Sequence, residues 1–258
     1  MNIFATSLGI TRASLRVLRA QPRLTLFPLI GFGTVLTLLL LLMPVLDGPA
    51  DGLVLALVYF LLHGVSVFFS AALVCEALRA LRGQPISLAG GLGCAASRAG
   101  SLAAYASIES TIGLFLGALS RGGRSARWIE QMLGGAWTLV SYLALPVLIA
   151  ERRGGYDSLR RSSELFRRTW GETALSELGF RILVVYFLIA VLIICLLLAR
   201  LIDEPVAAAV AIALVLAFAV VASTLQAIYR AALYIYAAEG VVPEEFDTPD
   251  MNAVWHVK

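Results

Sequence analysis

The sequence has few charged residues and few of the residues that usually carry enzyme chemistry. Only 14% of its 258 residues are charged, whereas about a quarter are charged in a typical soluble domain. It contains two histidines and no HExxH motif, GxSxG elbow or P-loop. A GxGxxA match at residues 91–96 lacks the surrounding βαβ pattern of a dinucleotide site. We therefore expect neither an enzyme nor a cofactor.

Cysteine and lysine are also scarce. Cys75, Cys94 and Cys195 are odd in number, lack CxxC spacing and lie in or beside apolar runs. This pattern predicts small buried side chains rather than a disulfide or a metal set. Of the 20 basic residues only Lys258 is a lysine, and the arginines cluster beside apolar runs. Because they do not cover a soluble face, nucleic acid is not an expected partner.

Long apolar runs dominate what is present. Hydrophobic residues make up 60% of the chain, and the mean hydropathy is +0.87. Six runs are long enough to cross a bilayer: Leu24–Leu46, Leu53–Leu81, Leu102–Leu119, Trp128–Ala150, Ala174–Ala199 and Val206–Ala237. We predict an all-α, multi-pass membrane protein of six transmembrane helices arranged as three hairpins, forming one membrane domain over residues 1–258.

Three amphipathic segments separate these runs, and the most strongly basic is residues 156–170. At 100° per residue, one helical face of this segment carries Tyr156, Leu159, Ser163, Phe166 and Trp170, and its other sides carry Arg160, Arg161, Arg167 and Arg168. Residues 3–20 repeat the pattern, with Arg12, Arg16 and Arg19 in one stripe, and residues 87–99 form a weaker, glycine-rich version. Such helices lie in the membrane interface, with arginines toward anionic headgroups.

The arginine distribution predicts the orientation. With six spans and the N-terminus inside, the outer turns hold Arg121, Arg124, Arg127 and Arg200, which leaves 16 of the 20 basic residues on the inner side. The positive-inside rule then places both termini in the cytoplasm. The arginine-rich turn at 121–127 opposes this bias. Either the global bias overrides it, or residues 101–150 form a shallow hairpin that does not cross fully.

The order of segments suggests an internal repeat. Ser7-Leu8, Ser87-Leu88 and Ser158-Leu159 each begin an amphipathic segment that is followed by a hairpin. The units are about 3–82, 85–150 and 154–238, with a short cytoplasmic tail at 240–258. Since all three start on the same side, they predict parallel repeats around a pseudo-threefold axis. Chance alignment of such short anchors is the alternative.

Ionisable residues inside the spans are the main candidates for function, because each is costly in a bilayer unless paired or hydrated. His63 and Glu109 lie well inside the second and third spans. We interpret them as a possible intramembrane proton or cation site, and the alternative is that each makes a structural hydrogen bond.

The C-terminal region carries a resemblance. The segment from Ala231 to Phe246, AALYIYAAEGVVPEEF, resembles the ALYxYAxxGxxPxxF ending of an uncharacterised prokaryotic integral-membrane family, a domain of unknown function. The motif residues are Tyr234, Tyr236, Gly240, Pro243 and Phe246. The resemblance implies a six-helix protein of the prokaryotic cell (inner) membrane and no particular activity. From the residues, we expect Tyr234 and Tyr236 in an interfacial aromatic belt, Gly240 at a helix end and Pro243 redirecting the chain.

Two function classes follow from these features. The first is a non-enzymatic scaffold or accessory subunit whose cytoplasmic face contacts anionic lipid, a protein partner or a second copy of the chain. Its contact residues would be Arg160, Arg161, Arg167, Arg168, Trp170, Arg12, Arg16 and Arg19. The second is an ion, proton or small-solute channel or carrier that uses Glu109 and His63.

Overall fold

The computed structural model describes residues 3–47, 51–167 and 204–247 and the single positions 189, 191 and 194. The secondary structure of these residues is helical, with no strand among them. Five helical segments are long and apolar enough to cross a membrane, at Pro22–Leu46, Gly52–Leu81, Ala99–Ser120, Arg124–Ala150 and Ala208–Glu239. They correspond to five of the six predicted spans and suggest a membrane protein. The remaining predicted span, Ala174–Ala199, lies outside the described residues except for three positions.

The helices follow one another with short connections. In chain order they are α1 (Ile3–Ala20), α2 (Leu26–Leu46), α3 (Gly52–Leu81), α4 (Leu88–Ala96), α5 (Ala99–Ser120), α6 (Arg124–Ser141), α7 (Ala144–Ala150), α8, described over 155–167, and α9 (Glu204–Glu239). Short 3-10 turns occur at Pro22–Thr25 and Glu244–Phe246. Pro146 explains the break between α6 and α7, because proline has no N–H to continue the helical ladder.

Helix α3 is the centre of the bundle and packs against α2, α4, α5, α7 and α9. Its buried residues, from Val67 to Leu78, all lie in its C-terminal half. The opposite end, around the turn at residue 47, exposes leucines of α2 and α3 such as Leu41 and Leu57. We call the tightly packed end the α1 end, because α1, α4 and the C-terminal turn gather there. The exposed leucines are suited to contact with lipid.

Helix α1 is amphipathic, and its apolar side belongs to the protein core. Ile10, Ala13 and Val17 are buried at i, i+3 and i+7 spacing, whereas the predicted stripe of Arg12, Arg16 and Arg19 is exposed. The helix ends at Ala20, just before Pro22, as the sequence predicts. The buried side packs against α9 and the C-terminal turn. The arginine stripe therefore points away from the bundle.

The packed side of helix α8 is rotated from the predicted apolar face and shares Leu159 with it. Its buried residues are Ser158, Leu159, Ser162 and Leu165, and the Ser162 hydroxyl accepts a hydrogen bond from the Leu143 N–H at 3.1 Å. Tyr156, which the prediction places on the apolar face, is 73% exposed. Small serines allow close approach, so they form the packing side.

Helix α4 lies very close to α3 because it begins with glycines. A Cβ atom on Gly91 would lie 2.6 Å from the Phe27 ring and 2.8 Å from Glu76 Cγ. Gly93, two residues later and on the opposite side of the same helix, has open space at its Cβ position. The GxGxxA match thus reflects helix packing at Gly91, not a nucleotide site.

These two glycines give a matched pair of variants. Gly91→Ala should destabilise the protein by about 1–3 kcal/mol, because the added methyl group overlaps a buried ring and a buried side chain. Gly93→Ala should be neutral or stabilising by up to about 1 kcal/mol, since alanine is the better helix former. Denaturant unfolding in detergent micelles measures both. Equal effects of the two substitutions would contradict the close packing of α4 on α3.

The prediction for the cysteines is wrong in one respect, because Cys75 and Cys94 form a disulfide that joins α3 to α4. The two residues are 19 positions apart, and their Cα atoms lie 6.5 Å from each other. The close packing at Gly91 brings the two helices within reach, which cysteine number and spacing do not reveal. Cys75 is nevertheless buried, as predicted. Cys195 lies outside the described residues.

Candidate functional site

The structure brings His63 and Glu109 together, although they are 46 residues apart in the chain. His63 Nε2 lies 3.2 Å from Glu109 Oε2, which links α3 to α5 across the bundle. The Tyr105 hydroxyl, one turn before Glu109, donates a hydrogen bond to Oε1 at 2.6 Å. Both oxygens of the carboxylate therefore have a partner. The two residues predicted from sequence form one polar cluster, and Tyr105 is a third member.

Tyr59 completes the cluster on the α3 side. Its ring stacks on the His63 imidazole, with 5.8 Å between centroids and 18° between planes. A Cβ atom on Gly113 would lie 2.6 Å from the Tyr59 hydroxyl oxygen, so this glycine provides the space for the tyrosine. The structure shows that the close neighbour is a side chain of α3.

The cluster is only partly enclosed. The His63 and Glu109 side chains are 28% and 20% exposed, whereas Tyr105 is 4% exposed. A histidine and a carboxylate in contact can each hold or release a proton, and the tyrosine hydroxyl stabilises the carboxylate by hydrogen bonding. His63 and Glu109 are therefore not sealed off by the described residues. Chemically, the described groups offer a carboxylate, an imidazole and a hydroxyl within hydrogen-bond distance of one another.

A second acidic centre at the α1 end is Glu76, which is 0% exposed. Glu76 Oε1 lies 3.1 Å from Arg79 Nη1, and Oε2 accepts the Ser87 N–H at 2.7 Å. Ser87 is the N-cap of α4, and its hydroxyl accepts the Gly90 N–H at 2.9 Å. In a capping box a glutamate of the same helix would bond the N-cap N–H. Here Glu76 of α3 does so.

The i, i+3 spacing of Glu76 and Arg79 is compatible with an ion pair, but it does not indicate the complete burial of the acid. The bond to Ser87 was not predicted either. The signal was present in the SxxG start of α4, which has an N-cap serine and no glutamate at the third position. Without an acid at that position, the Ser87 N–H is open to an acceptor from another helix, which is Glu76.

Glu151 forms a third node, where α7, α8 and α9 meet. Glu151 Oε2 accepts from Arg153 Nε at 2.6 Å, and Oε1 accepts from Arg161 Nε at 3.2 Å and lies 3.4 Å from the Tyr234 hydroxyl. Burial lowers the pKa of the Arg161 guanidinium, but the hydrogen bonds and charges of Glu151 and Glu164 outweigh it, so the pKa lies above its ordinary value. Arg161 therefore holds α8 against the end of α7 through its hydrogen bond to Glu151.

The other arginines of the predicted contact face differ from Arg161. The Arg160 side chain is 74% exposed and Arg167 is exposed, whereas Arg168 and Trp170 lie outside the described residues.

Arg98, in the turn before α5, donates a hydrogen bond to the Cys94 carbonyl oxygen at 3.1 Å. Burial and the nearby charge of Arg152 lower the pKa of its guanidinium.

The C-terminal motif folds the chain back onto the bundle. Gly240 has φ +70° and ends α9, as predicted. Pro243 begins the turn that buries Phe246 completely, with its ring 6.3 Å from that of Tyr229. Arg16 of α1 donates to the Glu245 carbonyl oxygen at 2.6 Å. The motif thus joins the end of the described chain to α1.

Tyr234 and Tyr236 are buried, at 4% and 7% exposure, so the expected aromatic belt at the interface is wrong for both. A belt residue has to reach the surrounding lipid and water. Tyr234 instead points inward, toward Glu151, because its hydroxyl needs a polar partner when buried.

No group of three or more histidine, cysteine or acidic side chains that could hold a metal is found within 3–47, 51–167 and 204–247 or at the isolated described positions.

Comparison with curated proteins and with solved structures found no match to this chain. Residues 50–243 match the family of unknown function DUF6159. This region includes four of the five described helical segments that are long and apolar enough to cross a membrane, and most of the C-terminal motif. The chain belongs to DUF6159, a family of unknown function.

Proposed function

We propose that this protein is a membrane channel or carrier for protons or small cations, with Glu109 and His63 at its binding site. The observation that carries this proposal is the 3.2 Å contact between the two side chains inside the span helices α3 and α5. An acid and a histidine at such a position are costly unless they are paired or hydrated. Their pairing offsets that cost, and their partial exposure keeps them accessible.

The proposal includes a six-span topology with both termini on the cytoplasmic side. Arg16 binds the Glu245 carbonyl, and Arg82 pairs with Glu239, so α1, the end of α3 and the end of α9 lie at the same end of the bundle. Glu151 and α8 lie there too, through Tyr234. Helix α9 has 36 residues, about 50 Å at 1.5 Å per residue. With α8 at the α1 end and Glu204 at the other end of α9, the predicted sixth span at Ala174–Ala199 fits this topology.

The repeat also remains a proposal. Within the described residues, α1 precedes the hairpin of α2 and α3, and α4 precedes the hairpin of α5 and α6–α7. Helix α8 would introduce a third hairpin whose second helix is α9. This order supports the units 3–82, 85–150 and 154–238, and the 16-to-4 arginine distribution supports their cytoplasmic-side start in a prokaryotic inner membrane.

Glu109→Gln should lower proton or cation flux at least about tenfold in reconstituted vesicles, because an amide neither binds a cation strongly nor exchanges a proton. A pH-sensitive dye inside the vesicles, with K⁺ and Na⁺ gradients in turn, measures the flux. His63→Gln should reduce it as well. Glu130→Gln on α6 is the control, since it removes an acid outside the cluster, and it should leave the flux unchanged.

Unfolding measurements accompany the flux assay, so that lost flux is not confused with lost protein. Wild-type flux that persists in Glu109→Gln would contradict the role of the cluster. A folded wild-type protein with no flux of any of the three ions would contradict the proposed function itself.

A second function, a scaffold or accessory subunit at the cytoplasmic face, is favoured by the basic side of α1. Arg12 and Arg19 are exposed while the other side of the helix is buried in the core. Arg160 on α8 is exposed at the same end. These arginines could hold anionic headgroups, an acidic protein partner or a second copy of the chain.

Replacing Arg12, Arg19 and Arg160 together by glutamine should lower the amount of anionic lipid that remains bound after purification, since each basic residue near an anionic surface contributes about 1 kcal/mol. Mass spectrometry of the protein with its retained lipids measures this. The same number of substitutions at Arg121, Arg124 and Arg127, at the other end of the bundle, is the matched control. Equal lipid and partner retention in both variants would argue against the scaffold.

A further inference from the structure

A cavity of about 170 Å³ lies between α2, α3 and α9. Phe32, Phe69 and other apolar residues form most of its wall, and its polar lining consists of Ser66, Ser70, Ser223, Gln226 and Arg230. Its volume is close to that of a cavity of roughly 150 Å³ that accommodates a benzene molecule. A phosphate or carboxylate group is of suitable size for this space.

Among the described residues that line the cavity, Arg230 is the only one with a charged side chain. Its guanidinium carbon lies 4.7 Å from the centroid of the Tyr142 ring, and this cation–π contact fixes the side chain without neutralising it. Among the residues that the structure describes, no carboxylate lies within 4.0 Å of the guanidinium, and Arg230 Nε is buried without a hydrogen-bond partner. As far as the structure describes the chain, the cavity therefore carries a positive charge that no carboxylate compensates.

The neighbouring polar groups supply further donors. The Ser66 and Ser223 hydroxyls donate to carbonyl oxygens of their own helices, at Leu62 and Val220. Ser70 and Gln226 have no such bond within the described part of the chain, so their hydroxyl and amide groups are free to face a ligand. An arginine with two added neutral donors suits an oxyanion, because charge-assisted hydrogen bonds to phosphate or carboxylate are the strong ones.

The position of the cavity suits the headgroup level of one leaflet. Pro28 and Phe32, which border it, lie in the first two turns of α2, next to the α1 end where the arginine stripe is exposed. Ser66 and Ser70 are exposed at its edge, and Phe32 is 40% exposed. A polar interior beside an apolar, open edge fits a group that is charged at one end and apolar at the other.

From this geometry we propose that Arg230, Ser70 and Gln226 form a binding site for an oxyanion of phosphate or carboxylate size, supplied by an anionic lipid headgroup or by a free anion. The inference is independent of the proposed function, since no residue of the His63–Glu109 cluster lines the cavity.

The test uses the full, delipidated chain in a zwitterionic detergent. One experiment titrates phosphatidylglycerol, with phosphatidylcholine for comparison, and counts bound lipids by native mass spectrometry. The other titrates inorganic phosphate and acetate and follows thermal unfolding. In whichever titration the wild-type protein binds its ligand, Arg230→Gln should weaken that binding at least about tenfold. This is the loss expected when a charge-assisted hydrogen bond is removed. Arg124→Gln, which removes an arginine of α6, is the control and should bind as the wild type does.

Ser70→Leu tests the same site if Arg230→Gln folds poorly. It fills the cavity at its exposed edge and leaves the Arg230–Tyr142 contact in place, so it should also weaken binding. Binding of phosphatidylglycerol alone identifies a lipid headgroup, and binding of phosphate or acetate alone identifies a free anion. The proposal is overturned if neither titration shows binding, or if both variants bind as tightly as the wild type.

Discussion

Glu76→Ala should destabilise the protein by about 3 kcal/mol or more, one of the two largest effects that we expect from a single substitution. The carboxylate is fully buried, and its removal leaves Arg79 without its partner and the Ser87 N–H without an acceptor. Breaking a buried ion pair from one side costs about 3–5 kcal/mol. The Arg79 side chain is 46% exposed, so water can hydrate its charge, and this favours the lower end of that range.

Denaturant unfolding in micelles measures the change, and two further variants sharpen it. Glu76→Gln keeps an oxygen that can accept the Ser87 N–H and loses only the charge, so its effect should be smaller, about 1–2 kcal/mol. Glu244→Gln, at an exposed acid, should have no measurable effect. If Glu76→Ala and Glu244→Gln unfold at the same denaturant concentration, Glu76 does not hold α4 on α3.

Phe246→Ala should cost about 3–5 kcal/mol, because Phe246 is completely buried and truncation of a buried phenylalanine leaves a large cavity. The ring packs against Tyr229 of α9, and the preceding residue accepts a hydrogen bond from Arg16 of α1. The substitution should therefore loosen the C-terminal turn from α1 as well as lower the melting temperature.

Limited proteolysis is the second measurement for this variant. Cleavage after the exposed arginines of α1 and within the C-terminal turn should be faster in Phe246→Ala than in the wild type. Val241→Ala is the control, since Val241 is 56% exposed and three residues from the turn. Wild-type stability in Phe246→Ala would mean that Phe246 has no role in holding the C-terminal turn on the bundle.

Local patterns in the sequence were sufficient for most helices and for the exposed arginines of α1. The apolar runs predicted five helices that the structure describes, and Gly240 and Pro22 marked helix ends correctly. These features depend on residues within a few turns of one another. The start of α6 was placed at Trp128, but the helix begins at Arg124, since an amphipathic first turn does not look like a membrane span.

The candidate site was predicted in part. Burial cost singled out His63 and Glu109, but the contact between them, and the presence of Tyr59 and Tyr105, depend on how α3 and α5 are paired. Similarly, the side of α8 that packs inward depends on what α8 meets. Its serines fit against Leu143, and this outweighs the more apolar neighbouring side.

The sequence by itself determined that this is an apolar, helical chain of DUF6159 with basic amphipathic segments between its long helices. Only the tertiary structure decided that Cys75 bonds Cys94, that Glu76 caps a helix from outside it, and that Arg230 faces a cavity without a described counterion. The physical reason is distance along the chain. Hydropathy and helix ends arise from neighbouring residues, whereas these three features arise where glycines and serines allow separate helices to come into contact.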